Sequence, residues 1–232
     1  MKKLALVVGH TRARPGAFAV APIGQSENTW NTDLATTMKA IADTDADAGH
    51  PGAVSVSIFT RDDGGVVGAY RRARQWGADA ALELHFNAAM PAATGTETLY
   101  LTPASQGFAA VIQAATVAAL GLRDRGIKTP HAASGGRGAA NLSQMGARPS
   151  ILTEPFFGSN PGDCAAAHTR KRRLAAAQIR AAGHYLNALY DGDPDDVATL
   201  PVALNGRGAP ARWTIHPPDA PRRVRAFGAR KP

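Results

Sequence analysis

The sequence predicts an α/β domain: a mostly parallel, twisted sheet of about six strands with helices on both faces, followed by a basic, proline-rich C-terminal extension. Three observations predict it. Ala80-Ala81-Leu82-Glu83-Leu84-His85-Phe86-Asn87 is an apolar run too short for a typical helix and preceded by Gly77-Ala78-Asp79, the pattern of a buried strand. Leu4 to Val8, before Gly9-His10, and Ser150 to Glu154 have the same form. Helical periodicity fills the segments between such runs, and ligands bind outside the carboxyl ends of strands in open α/β sheets. If the three strands are parallel neighbours, His10, His85 and Glu154 converge on one crevice.

The elements follow in order. Thr11 to Gln25 is a loop, and Ser26 caps a helix with Glu27 in its first turn and Trp30, Leu34, Met38 and Ile41 at helical spacing. Asp43 to Gly52 reads as a polar turn, Val54 to Thr60 as an alternating strand and Val66 to Trp76 as a helix. Gly95 to Leu101 alternates polar and apolar, which predicts a strand nearer an edge. Phe108, Ile112, Ala115, Ala119 and Leu122 mark a helix, and Arg123 to Arg148 reads as a long, Gly-rich, basic loop of the kind that carries function. Cys164 to Tyr190 is a long amphipathic helix ended by Asp191-Gly192-Asp193-Pro194. The α/β domain therefore spans 1–191 and the extension 192–232.

Composition narrows the function. A chain of 232 residues with 44% hydrophobic and 19% charged residues can bury a full core. No apolar stretch suggests a bilayer span. Met1-Lys2-Lys3 before Leu4 to Val8 resembles the start of a signal peptide, but the run stops at Gly9-His10 with no small-residue cleavage site. The expectation is synthesis in the cytoplasm without a signal peptide. The single cysteine, Cys164, excludes an internal disulfide and a thiolate zinc site. Of the net charge of +8, seven Lys/Arg against one Asp lie between Val197 and Pro232, so the body is close to neutral and the extension is the basic part. Seven of the sixteen prolines also follow Asp191, so this part adds no large core.

A catalytic zinc takes three protein ligands and keeps a fourth position open. His10 and His85 at strand ends, with Glu27 from the helix after the first strand, supply that set, although no short motif ties them together. A buried, hydrogen-bonded histidine would explain either one singly. The other five histidines lie in loops or on helical surface. Glu154, at the end of an apolar strand, suits a general base that takes a proton from the attacking water and returns it to a leaving amine; the alternative is a salt bridge to a loop arginine. Glu83 shares a strand face with His85. It either orients that histidine by a hydrogen bond or partners a buried arginine such as Arg71 or Arg72.

Gly9-His10, Pro15-Gly16-Ala17, Glu27-Asn28, Thr60-Arg61-Asp62, Ala78-Asp79, His85-Phe86-Asn87-Ala88, Gly95 to Leu101, Arg125-Gly126-Ile127-Lys128 and Pro149 to Asn160 stand in the order of one family. Over about residues 4 to 190 the chain resembles the zinc-dependent N-acetylmuramoyl-L-alanine amidases of type 3. The resemblance implies one Zn2+ per chain held by His10, Glu27 and His85, Glu154 as the catalytic glutamate, and peptidoglycan as substrate, cut between N-acetylmuramic acid and L-alanine. Asn87, Arg61, Arg12 and Asn160 are the candidate substrate contacts, and Glu83 the residue behind a ligand. Thr11 stands where the family often has a second glycine, and Glu83 where it often has serine; neither replaces a presumed ligand. Cell-division members of that family can carry an autoinhibitory helix between the last two strands. The Arg123 to Arg148 stretch has too little apolar periodicity for one, so an open site is expected.

The expected setting is a phage or prophage-type lysis or tail-associated enzyme that reaches the wall after release. Its basic tail, with Trp213 among the arginines, would grip anionic envelope polymers or a virion protein, or serve as a solubilising extension. Two other classes are consistent with parts of the pattern: a carboxypeptidase-like zinc peptide hydrolase, and a non-catalytic envelope- or nucleic-acid-binding module that uses the basic tail.

Overall fold

The computed structural model describes residues 1–191, so the extension, with Trp213 and Ile215, lies outside the described residues. Six strands form one sheet: β1 (Lys2–Val8), β2 (Val54–Phe59), β3 (Ala80–Leu84), β4 (Thr96–Tyr100), β5 (Asp124–Lys128) and β6 (Ser150–Glu154), in the order β2-β1-β3-β6-β4-β5. β2, β1, β3 and β6 are parallel, β4 runs antiparallel to β6, and β5 is parallel to β4. The sheet is mostly parallel, as expected. His10, His85 and Glu154 leave β1, β3 and β6 at the same edge.

The helices are α1 (Glu27–Asp47), α2 (Gly65–Trp76), α3 (Pro103–Leu120), the short α4 (Pro130–Ser134) and α5 (Ala139–Leu142), and α6 (Pro161–Asp191), with a 3-10 turn at Ser143–Met145. Alternation along β1 assigns the two faces. Leu4, Leu6 and Val8 pack with Leu34 and Met38 of α1, Phe108 and Ile112 of α3, and Leu174 and Tyr185 of α6. Ala5 and Val7 meet Tyr70 and Ala73 of α2 and Met145. Small residues on this second side let α2 lie close to the sheet, and the larger ones opposite fill the space beneath three long helices. Each such fully buried Leu or Phe contributes about 1.5–3 kcal/mol relative to exposure.

Four expectations need correction. β5 forms inside the stretch read as a loop. Its residues, Asp124-Arg125-Gly126-Ile127-Lys128, lack an apolar alternation, and it becomes a strand by pairing with β4. β4 lies beside this edge strand, in keeping with the expectation of a strand nearer an edge. The rest of that stretch folds as α4, α5 and the 3-10 turn rather than as loop. α1 runs past Asp43 because Asp45 is buried and receives both Nε and Nη2 of Arg180, each at 3.0 Å. Finally, α3 is an uncharged, apolar helix of 18 residues, long enough to span a bilayer, but Phe108, Ala109, Ile112, Ala115 and Leu120 are buried in the core.

Candidate metal centre and the cleft around it

β1 ends as Gly9 N–H donates to Leu84 O at 3.0 Å. His10 follows with φ 62°, a left-handed backbone that a non-glycine residue adopts at a cost and that here turns its ring over the sheet edge. Two glycines admit the rings. A Cβ on Gly9 would lie 2.6 Å from the His85 ring and from Leu84 O; one on Gly16, whose φ is 80°, would lie 2.7 Å from Glu27 Oε2 and His10 Cδ2.

Glu27 is the first residue of α1, after Ser26, whose Oγ accepts from Thr29 N–H at 3.3 Å. Its carboxylate sits between the two histidines. His85 Nδ1 lies 2.7 Å from Oε1 and His10 Nε2 3.1 Å from Oε2, and the backbone N–H groups of Phe86 and Ala17 donate to it as well. Burial works to raise the Glu27 pKa, but the hydrogen bonds and charges of His10 and His85 outweigh it and hold the carboxyl down at about 2.

The donor set fits a zinc ion. The ligand atoms of His10, Glu27 and His85 all lie within 4.8 Å of one another. Ligands about 2.0–2.1 Å from a tetrahedral ion stand roughly 3.3 Å apart, close to the separations of Glu27 from each histidine. Glu83 Oε1 lies 3.2 Å from His85 Nε2, with Arg61 Nη2 3.4 Å from the same nitrogen. A cation on His85 Nδ1 would leave the ring proton on Nε2, where Glu83 can accept it.

Glu83 is itself fully buried and held from three sides. Arg61 donates to Oε1 in a close ion pair, Tyr70 Oη donates to Oε2 at 2.9 Å and Asn141 Nδ2 to Oε1 at 3.1 Å. The two sequence readings of Glu83 are thus compatible: it holds His85 and pairs an arginine. That arginine is Arg61 rather than Arg71 or Arg72; Arg72 instead donates to the carbonyls of Asp63 and Thr60.

A cleft of about 430 Å³ opens beside the triad and is lined also by Glu154 and Glu97. Glu154 Oε2 is buried without a hydrogen-bond partner, and burial raises its pKa to about 8. It has no salt bridge to a loop arginine among the described residues. The antiparallel register places Glu97 directly across from it. Glu97 accepts from Arg125 Nε and Lys128 Nζ, both at 2.7 Å, and from Asn87 Nδ2 at 2.8 Å. Burial opposes ionisation here too, but the two cations hold this carboxyl below the usual range.

The structure brings His10, Glu27, His85, Asn87, Arg61 and Glu154 to the cleft. Two expected substrate contacts are elsewhere. Arg12 is exposed and pairs with Asp62 at 3.2 Å, while Asn160 opens α6, its Oδ1 accepting from Asp163 N–H and its Nδ2 donating to Pro91 O. Arg61 lines the cleft but is largely buried beneath it, committed to Glu83. Tyr70, Glu97, Arg137 and Asn141 are residues that the sequence reading did not single out. The one signal was Glu97, a carboxylate in the middle of a strand.

A type 3 amidase family model, described as N-acetylmuramoyl-L-alanine amidase, matches residues 4–183. The chain belongs to this amidase family. Its fold is shared with the catalytic domain of CwlV, an N-acetylmuramoyl-L-alanine amidase from Bacillus (Paenibacillus) polymyxa var. colistinus, at 24% identity and TM-score 0.66 over 81% of this chain and 99% of that one. The catalytic domain of the CD27L endolysin, which targets Clostridia difficile, gives 23% identity and TM-score 0.61 over 81% and 98%. Ami1, the N-acetylmuramyl-L-alanine amidase of Mycobacterium smegmatis, gives 19% and 0.61 over 81% and 97%. At these identities the likeness is one of fold. No curated protein sequence matches the chain. In this amidase the family match spans all four residues His10, Glu27, His85 and Glu154.

Proposed function

We propose that the chain is a zinc-dependent peptidoglycan hydrolase that cleaves the amide between N-acetylmuramic acid and L-alanine. The observation that carries this reading is the meeting of two groups in one cleft: the His10, Glu27 and His85 ligand atoms, and the unpartnered carboxyl of Glu154.

His10 Nε2, a Glu27 oxygen and His85 Nδ1 would hold the ion, and when bound it supplies a Lewis acid for the scissile carbonyl. Glu83 keeps the proton on His85 Nε2. Glu154 takes a proton from the attacking water and delivers it to the departing alanine nitrogen. A pKa near 8 without a cation suits a group that must both accept and donate, and a nearby divalent charge lowers it toward neutrality. Asn87, fixed by Glu97, shapes the wall between them.

A lysis or tail-associated setting is part of the proposal, supported by the fold shared with an endolysin catalytic domain. In that setting the basic residues after 191 would hold anionic envelope polymers or a virion protein. The test is metal content measured together with release of stem peptides from purified peptidoglycan, before and after chelation and zinc re-addition. One zinc per chain and chelator-sensitive release of peptides with new L-alanine amino termini is the expected result. Release that persists after complete chelation, or cleavage inside the peptide, overturns it.

A further inference from the structure

Four cations stand in or behind the walls of the cleft, and three are committed. Arg61 is bound to Glu83, while Arg125 and Lys128 share Glu97. Arg137 differs. It lines the cleft with Glu154 and Leu152 and is exposed, and its side chain has no hydrogen-bond or salt-bridge partner among the described residues.

Its backbone is nonetheless placed. Ser134 Oγ donates to Arg137 O at 3.1 Å, and a Cβ on Gly138 would touch Leu152 Cδ1 at 3.4 Å, so the segment lies against β6. The α5 helix that follows is tied through Asn141 to Glu83 beneath the metal ligands. A guanidinium without a hydrogen-bond partner, close enough for its charge to act on Glu154, is thus presented on the wall that carries Glu154.

The chemistry gives that wall a direction. Glu154 protonates the departing nitrogen, so the leaving stem peptide lies on its side of the cleft and the muramoyl group across from it. One residue advances an extended chain by about 3.3–3.6 Å, so the second residue of the stem falls just beyond Glu154. We propose that Arg137 is a specificity-determining residue that binds the free α-carboxylate of the second stem residue, a γ-linked D-glutamate. A planar guanidinium takes a carboxylate through two parallel N–H bonds, a geometry that a carboxamide cannot match. The surplus positive charge of Arg125 and Lys128 on Glu97 favours the same anion.

This inference rests on the amidase reading, and the experiment separates the two. Muramoyl-L-alanyl-γ-D-glutamyl-L-lysine and its D-isoglutamine counterpart differ only in that carboxylate. A third substrate, with diaminopimelate in place of lysine, adds a carboxylate one residue further on. The zinc-loaded full chain is expected to prefer the D-glutamate peptide over the D-isoglutamine one by roughly tenfold in kcat/KM, through KM. Arg137→Gln abolishes the preference and Arg137→Lys keeps part of it, while adding the diaminopimelate carboxylate changes little.

Equal kcat/KM for the first two peptides overturns the inference while leaving the amidase reading intact. So does a loss in Arg137→Gln that is the same for both and accompanies a displaced pH profile, since Arg137 would then act only through its charge on Glu154. Preference set by the third residue overturns the assignment to the second. Failure to cleave any of the three overturns the amidase reading and the inference with it.

Discussion

Glu83 and His85 lie two residues apart at the end of β3 with Glu83 Oε1 3.2 Å from His85 Nε2, so the strand places beside the candidate ligand a carboxylate that can hold its second ring nitrogen. Replacing Glu83 with Gln weakens this twice over: an amide can present N–H to Nε2, and Arg61 loses its buried counter-charge. Zinc affinity is expected to fall by about 10–100-fold, read by competition with a chromogenic chelator. Removing one partner of a buried ion pair costs about 3–5 kcal/mol, read by urea unfolding. Unchanged zinc affinity would show that Glu83 serves only Arg61.

Glu154→Gln keeps the shape of the wall and removes its proton-transfer chemistry. Bound zinc is expected to stay at the level of the parent chain. Turnover should fall by at least roughly 100- to 10,000-fold, measured as release of L-alanine amino termini. Near-normal turnover would remove Glu154 from its role.

Glu154 also makes metal-free stability depend on pH. Its folded pKa, about 8, lies above the ordinary 4.5, so the native state binds more protons than the unfolded chain between those values. Stability is therefore fully present below about pH 4.5 and is lost as pH rises through about 8. Glu27 has the opposite sign: its stabilisation is present above about 4.5 and lost as pH falls toward 2. In chelator, the difference in unfolding free energy between the parent chain and Glu154→Gln should shift in favour of the variant between pH 5 and pH 8. A difference that does not vary with pH contradicts the raised pKa.

Gly16→Ala tests the packing of the ligands. The site combines φ 80° with a Cβ position 2.7 Å from Glu27 Oε2, whereas Gly24, with φ 60°, has open space around its Cβ position. Both alanine variants carry a left-handed backbone cost of about 1–2 kcal/mol. Only Gly16→Ala should also displace a ligand, so weakened zinc binding is expected there and not in Gly24→Ala. Calorimetric titration of both variants compares them, and equal affinities would mean that the loop yields.

The parallel strands and the site residues at their ends were legible because short apolar runs ending in His or Glu state both strand and edge. The reversed pair β4–β5 was not. Asp124 to Lys128 carries no hydrophobic alternation, and its identity as a strand comes from hydrogen bonds to a neighbour that is remote in sequence. The roles of Tyr70 and Asn141 were hidden for a similar reason: they reach Glu83 from 13 and 58 residues away, and neither sits in a local pattern. Arg61 could be found but not assigned, since nothing in its own neighbourhood says that its guanidinium turns inward.

α6 begins at Pro161, beside the loop above the cleft, and runs back along the sheet until Gly183 lies against the carbonyl of Gly52, just before β2 starts. The path is not one straight rod: it is interrupted at Arg170, whose φ −109° and ψ 16° are not helical. The helix nonetheless carries the chain from the rim of the cleft to the far end of the sheet, as a handle runs back from a blade.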